Sequence, residues 1–172
     1  TVASLIHLIE TIDSANKIDA NLRVVLVGET LAKFTEPESH RDYFVHMKRL
    51  FNAIASDIAD EVGATAILTG ENLGQVSSQT LGNLGAVEEA SRFRILRPLL
   101  GLDKQEIIDE ARVLGTYEIS TGPELCDALG PERPTTVADL NRLRENENNQ
   151  GGLEKLAESC LNSLRTRPLT SE

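Results

Sequence analysis

The chain contains no tryptophan and only 3% aromatic residues, so its core has to be built from Leu, Ile, Val and Ala. There is no excess of positive charge either. The formal charge is −10, which excludes a uniformly basic nucleic-acid footprint and leaves room only for a local cationic patch. No apolar run of about 18 residues and no signal-peptide pattern occurs, so the expected setting is a reducing cytoplasm without a membrane. Cysteine is scarce: Cys126 and Cys160 stand 34 positions apart, which is no metal-ligand spacing, and no metal is expected.

What is present is an alternation of helical and strand patterns. Apolar residues at Leu5, Ile6, Leu8, Ile9 and Ile12 predict a helix from Val2 to Ala15, and the run from Leu22 to Val27 predicts a buried strand. A polar connection from Thr35 to Ser39 leads to a long helix predicted over His40 to Val62, with Gly63 as its stop. Strands follow at Thr65 to Leu68 and Phe93 to Leu96, flanking a helical pattern from Ser77 to Ala90. Asp103 caps a further helix that Gly115 ends. A loop is predicted from Thr116 to Pro134, then helices over Thr136 to Glu145 and Gly152 to Leu164, and "RTRPLTSE" reads as a frayed tail. Such alternation predicts βαβ units and an α/β fold, a three-layer parallel sheet with helices on both faces.

The stretch from Thr69 to Leu84, "TGENLGQVSSQTLGNL", is unlike its surroundings. It leaves an apolar strand with three glycines, two glutamines and four hydroxyl side chains. Ligands of parallel α/β sheets bind beyond the carboxyl ends of the strands, and this segment starts at such an end. Its backbone amides suit a phosphate or a carboxylate. An ordinary β–α turn explains the spacing equally well, because "GENLGQ" is neither a Walker loop nor a dinucleotide fingerprint.

Three segments together carry a resemblance: "ATAILTGENLGQVSSQTLGNL", "ILRPLLGLDKQEIIDEARVLGTYEIS" and "PELCDALGPERPT". In wording, order and spacing the chain resembles the catalytic domain of the ThiI-type tRNA 4-thiouridine synthetases, members of the PP-loop ATP pyrophosphatase superfamily (adenine nucleotide alpha hydrolase-like), a family also tied to thiamine biosynthesis. The similarity runs roughly from Met47 to Thr136 and is strongest from Thr65 to Ser120.

The resemblance implies a reaction in which ATP, with Mg, adenylates the carbonyl oxygen of a tRNA uridine and releases pyrophosphate. A cysteine persulfide then delivers sulfur as AMP leaves, the sulfur coming from a cysteine desulfurase or another persulfide donor. By this resemblance Lys104, in the "DK" that opens a helix, neutralises phosphate or transition-state charge, and Cys126 carries the sulfur. Thr69, Gly70, Glu71, Gly74 and Gln75 fall to the nucleotide and substrate crevice. Gln79 and Thr80 cap and orient the next helix. Lys48 and Arg49, a basic pair on the long helix, and Arg97 of "RP" are candidate contacts to tRNA phosphates. Some family members carry a second cysteine beside the sulfur carrier. Here that position is not Cys, so reduction of the adduct falls to Cys160 or another protein, or does not occur. The apolar pattern "LAESCLNSL" makes Cys160 a packing residue.

The superfamily's "SGGxDS" phosphate loop is absent, and "QGG" at Gln150 to Gly152 lacks the serine, the aspartate and a preceding strand. The tRNA-binding domains that precede the family's catalytic domain are not in this chain, nor is a rhodanese domain. The chain therefore reads as a partial PP-loop domain over 1–134 without its first βαβ unit, a helical extension over 135–165 and a tail over 166–172. Poor ATP binding by this chain alone is expected. So is coverage of the open sheet, by a missing N-terminal segment or by self-association. The alternatives are a degenerate, non-catalytic homologue acting as an interaction module, and another PP-loop ligase.

Overall fold

The computed structural model describes residues 6–8, 10–11, 21–73, 79–121 and 129–168. Gly74, Gln75 and Cys126 lie outside the described residues. The chain divides into two compact units, one of residues 1–25, 102–125 and 164–172, the other of residues 26–101 and 126–163.

In the first unit, residues 6–8 and 10–11 are helical. The strand β1 (Asn21–Val24) pairs antiparallel with Arg165–Pro168, with Leu22 opposite Arg167 and Val24 opposite Arg165. The sequence predicted a frayed tail there, and a strand buried on both faces at β1. The tail instead supplies a partner strand through its backbone, which a composition of Arg, Thr and Pro does not announce. The same unit holds the helix Lys104–Val113 and a short helix, Tyr117–Ser120, inside the predicted loop. Asp103 closes a capping box on Lys104–Val113. Its Oδ1 accepts from the amides of Gln105 (2.7 Å) and Glu106 (2.9 Å), and Glu106 Oε2 accepts from the Asp103 amide at 2.7 Å.

The second unit begins with α1 (Gly28–Ala32) and continues into α2 (Tyr43–Val62). Gly63 ends α2 in the left-handed conformation, φ 68°, and the Ala64 amide reaches back to Ala59 O at 2.9 Å, as a glycine stop requires. The helix is buried along two stripes. Val45, Met47, Leu50, Ala53 and Ile54 supply apolar burial, whereas His46, Arg49, Asn52 and Ser56 form a buried polar stripe. Each member of that stripe finds a partner: Asn52 Nδ2 donates to Val87 O at 3.0 Å and Ser56 Oγ to Asn52 O at 2.7 Å.

The strand β2 (Ala66–Leu68) pairs in parallel with β3 (Arg94–Leu96), in the register Ala66–Arg94, Ile67–Ile95 and Leu68–Leu96. Between them runs α3 (Leu81–Glu88), the crossover expected of a parallel pair. Thr80 caps it, accepting from the Asn83 amide at 3.2 Å. The helices α4 (Leu140–Asn149) and α5 (Leu153–Leu161) complete the unit. Val45, Ala86, Val87 and Leu143 form a buried cluster with Ala138 and Leu140 against it, and α5 packs on α2 through its Leu156, Ala157 and Cys160 face. Cys160 is buried, its Sγ 3.1 Å from Thr30 Oγ1.

Candidate functional site

Beyond the ends of β2 and β3 the two chains continue side by side. The Thr69 amide donates to Leu96 O at 3.0 Å, Asn72 Nδ2 to Leu99 O at 2.7 Å, and the Leu73 amide to Leu100 O at 3.2 Å. The segment from Thr69 to Leu73 is thereby held at the carboxyl end of the parallel pair, where folds of this kind place ligands. Its side chains turn inward at two positions, Glu71 and Asn72, both buried. Gly70 faces open space: an added Cβ there would meet nothing within 4 Å.

Glu71 is the centre of an ion-pair cluster drawn from three elements. Its Oε1 accepts from Lys48 Nζ on α2 at 3.0 Å, and its Oε2 accepts from Arg97 Nε at 2.9 Å and from Thr69 Oγ1 at 3.3 Å. Arg97 Nη1 continues to Glu88 Oε2 on α3 at 2.7 Å. Burial pushes the Glu71 carboxyl up, but the hydrogen bonds and charges of Lys48 and Arg97 outweigh this and hold it below its ordinary value. Two polar atoms, Arg97 Nη2 and Gln79 Oε1, are buried without a hydrogen-bond partner among the described residues. Gln79 was expected to cap α3. Thr80 does so, and Gln79 keeps an unused acceptor, which no local sequence signal marks.

Arg49 lies one position from Lys48 but points elsewhere, and is 2% exposed. It donates to Glu147 on α4 through Nε (2.6 Å) and Nη2 (3.0 Å) and to Glu89 through Nη1 (2.7 Å). His46 Nδ1 also meets Glu147 Oε1 at 3.2 Å, and its ring stacks on Phe34 at 4.3 Å between centroids. A cavity of about 460 Å3 beside this network is bordered by Arg49, Glu89, Arg92, Arg144 and Glu147. Its guanidinium groups are each already paired with carboxylates: Arg92 with Asp57 and Asp60, Arg144 with Glu89.

Lys104 is the first residue of the helix Lys104–Val113, exposed and without a hydrogen bond or ion pair among the described residues. Among the described residues no group of three His, Cys, Asp or Glu side chains is arranged to hold a metal ion. No helix among them is long and apolar enough to cross a membrane.

A parallel strand pair with a crossover helix, ending in a polar segment that buries a charged cluster, defines an α/β protein with its candidate site at the sheet's carboxyl edge. The chain belongs to the ThiI family: the model of that family, described as thiamine biosynthesis protein (ThiI), matches residues 2–151. A tRNA sulfurtransferase of Psychromonas ingrahamii is 43% identical over 137 residues, which is 77% of this chain and 28% of the relative. A probable tRNA sulfurtransferase of Moorella thermoacetica is 42% identical over 124 residues, covering 71% of this chain and 32% of its own length. The chain thus spans about a third of the curated relatives it matches. Among solved structures it is similar to a 4-thiouridine synthetase in complex with RNA and with bound ATP. The TM-score is 0.88 and the identity 31%, over 98% of this chain and 45% of that one. The PP-loop type of α/β fold expected from the sequence is therefore the one found.

Proposed function

We propose that this chain is the catalytic portion of a tRNA sulfurtransferase that converts a tRNA uridine to 4-thiouridine. The observation that carries the reading is the likeness, over nearly the whole chain, to a 4-thiouridine synthetase solved with RNA and ATP. The local geometry supports it: Lys48 and Arg97 bring positive charge to the carboxyl end of β2 and β3, and the open space over Gly70 allows close approach to backbone.

In this reading ATP supplies the adenylyl group that turns the uridine oxygen into a leaving group. The segment from Thr69 to Leu73 forms one wall of its crevice, and by the family resemblance Gly74 and Gln75 also serve the nucleotide. Lys48 and Arg97 offer cations to its phosphates, and by the family resemblance Lys104 is a further functional cation. Both oxygens of Glu71 face cations, so magnesium would enter with the phosphates and not on this carboxylate. Cys126 takes the outer sulfur of a donor persulfide, from a cysteine desulfurase or an equivalent protein. That sulfur attacks the activated carbon as AMP leaves. A second thiol then attacks the Cys126 sulfur of the resulting adduct, forming a disulfide with Cys126 and releasing 4-thiouridine. Arg49, with all its nitrogens bonded internally, serves the packing of α2 against α3 and α4.

Among the described residues, β2 pairs on one edge only, and Leu68 and Leu96 are 68% and 51% exposed. We propose that this edge is covered by a further segment or by a second copy of the chain. A reconstituted assay with a tRNA transcript, ATP and a persulfide donor tests the function. Formation of 4-thiouridine that requires ATP and Cys126 is expected, and a product independent of Cys126 would overturn the assignment.

A further inference from the structure

Glu71 is an acid in the place where an anionic ligand is proposed to sit. Yet it is 8% exposed, and both its oxygens are occupied, one by Lys48 Nζ and the other by Arg97 Nε and Thr69 Oγ1. A carboxylate so placed repels phosphate, and its buried oxygens are already engaged by three donors within the chain. Its geometric effect lies elsewhere: it ties a lysine from α2 to an arginine at the end of β3. Arg97 is gripped a second time by Glu88, through Nη1 at 2.7 Å. Two carboxylates on one planar guanidinium fix its orientation, because the donors of the fork cannot turn independently. The third nitrogen, Nη2, is then left buried with no acceptor among the described residues, and the Arg97 side chain is 10% exposed. Lys48 spends one of its three donors on Glu71.

A buried guanidinium nitrogen without an acceptor is costly unless something outside the chain supplies one. Net charge does not explain the arrangement, since Lys48 and Arg97 are balanced by Glu71 and Glu88. Orientation does. We propose that Glu71 is a positioning residue: by bridging Lys48 and Arg97 it presents their unspent donors, Arg97 Nη2 foremost, to a phosphate oxygen of the bound nucleotide. This rests on the nucleotide crevice proposed above and assigns Glu71 and Glu88 a part in it without contact to the ligand.

Charge alone and positioning make opposite predictions. Glu71→Gln keeps the shape and removes a negative charge beside the phosphates, so simple electrostatics favours tighter binding of MgATP. Positioning predicts weaker binding, by about tenfold, the worth of one oriented charge-assisted hydrogen bond. The experiment is calorimetric titration of the full-length protein with MgATP, comparing the wild type with Glu71→Gln, Glu71→Asp and Glu88→Gln. The half-exposed Glu88 provides a variant that folds even if Glu71→Gln does not. Weaker binding in Glu71→Gln and Glu88→Gln, with partial recovery in Glu71→Asp, supports the proposal. Equal or tighter binding in Glu71→Gln, or in Glu88→Gln where the former does not fold, overturns it and leaves the crevice standing. A wild type that binds no MgATP overturns the crevice and this inference together.

Discussion

Arg49 and Glu147 are joined at two points inside the molecule, Nε to Oε1 at 2.6 Å and Nη2 to Oε2 at 3.0 Å, across 98 positions of sequence. The pair ties α4 to the long helix that also carries Lys48. Arg49 is therefore a strut for the candidate site, one helical position from the residue that faces it.

Removing one partner leaves the other charged and buried. Arg49→Met is expected to lower stability by about 3–5 kcal/mol. The double replacement Arg49→Met with Glu147→Leu should recover most of that loss, because no uncompensated charge remains. Urea denaturation of the two variants against the wild type measures the difference, and a double variant as weak as the single one would contradict the account.

Acid should unfold the protein through the same carboxylates. Burial pushes the Glu147 carboxyl up, yet the hydrogen bonds from His46 and Arg49 and the Arg49 charge hold it below its ordinary 4.5, and Glu71 is held low in the same way. A carboxylate whose folded value is depressed adds stability that is fully present above the unfolded value and is lost as pH falls through the folded one. Denaturation midpoints are therefore expected to be flat above pH ~5.5 and to fall steadily below pH ~4.5. Replacing Glu147 together with Arg49 should flatten that acid limb.

Gly70 separates ligand approach from backbone need. Its φ is not in the left-handed region, and an added Cβ meets nothing within 4 Å. Gly70→Ala should leave stability within about 0.5 kcal/mol of the wild type while weakening ATP-dependent thiolation. A variant with full activity would show that nothing approaches the backbone there.

Much of this arrangement is legible in the sequence, and the rest is hidden for physical reasons. The long helix is marked by its apolar spacing and Gly63, and the Asp103–Glu106 box by residue type at the right interval. The strands β2 and β3 stand out as apolar runs next to turn residues. The strand Arg165–Pro168 is invisible because its residues carry no alternation, and its pairing comes from the backbone alone. The site shows the same division. Composition and resemblance single out the segment from Thr69. They do not reveal that Glu71 spends itself on Lys48 and Arg97, since contacts between residues 23 and 26 positions apart have no local signature. Arg49 next to Lys48 reads as a basic pair, but neighbours on a helix point about 100° apart, and here one is buried against Glu147 while the other meets Glu71.

The activity proposed for this chain is the formation of 4-thiouridine in tRNA. The direct measurement is nucleoside mass spectrometry of total tRNA from cells lacking the gene, complemented in turn with the wild type, Lys104→Ala and Cys126→Ser. The account predicts that 4-thiouridine disappears on deletion, returns with the wild type and stays absent or strongly reduced with either variant. An unchanged 4-thiouridine level in the deletion strain would contradict it.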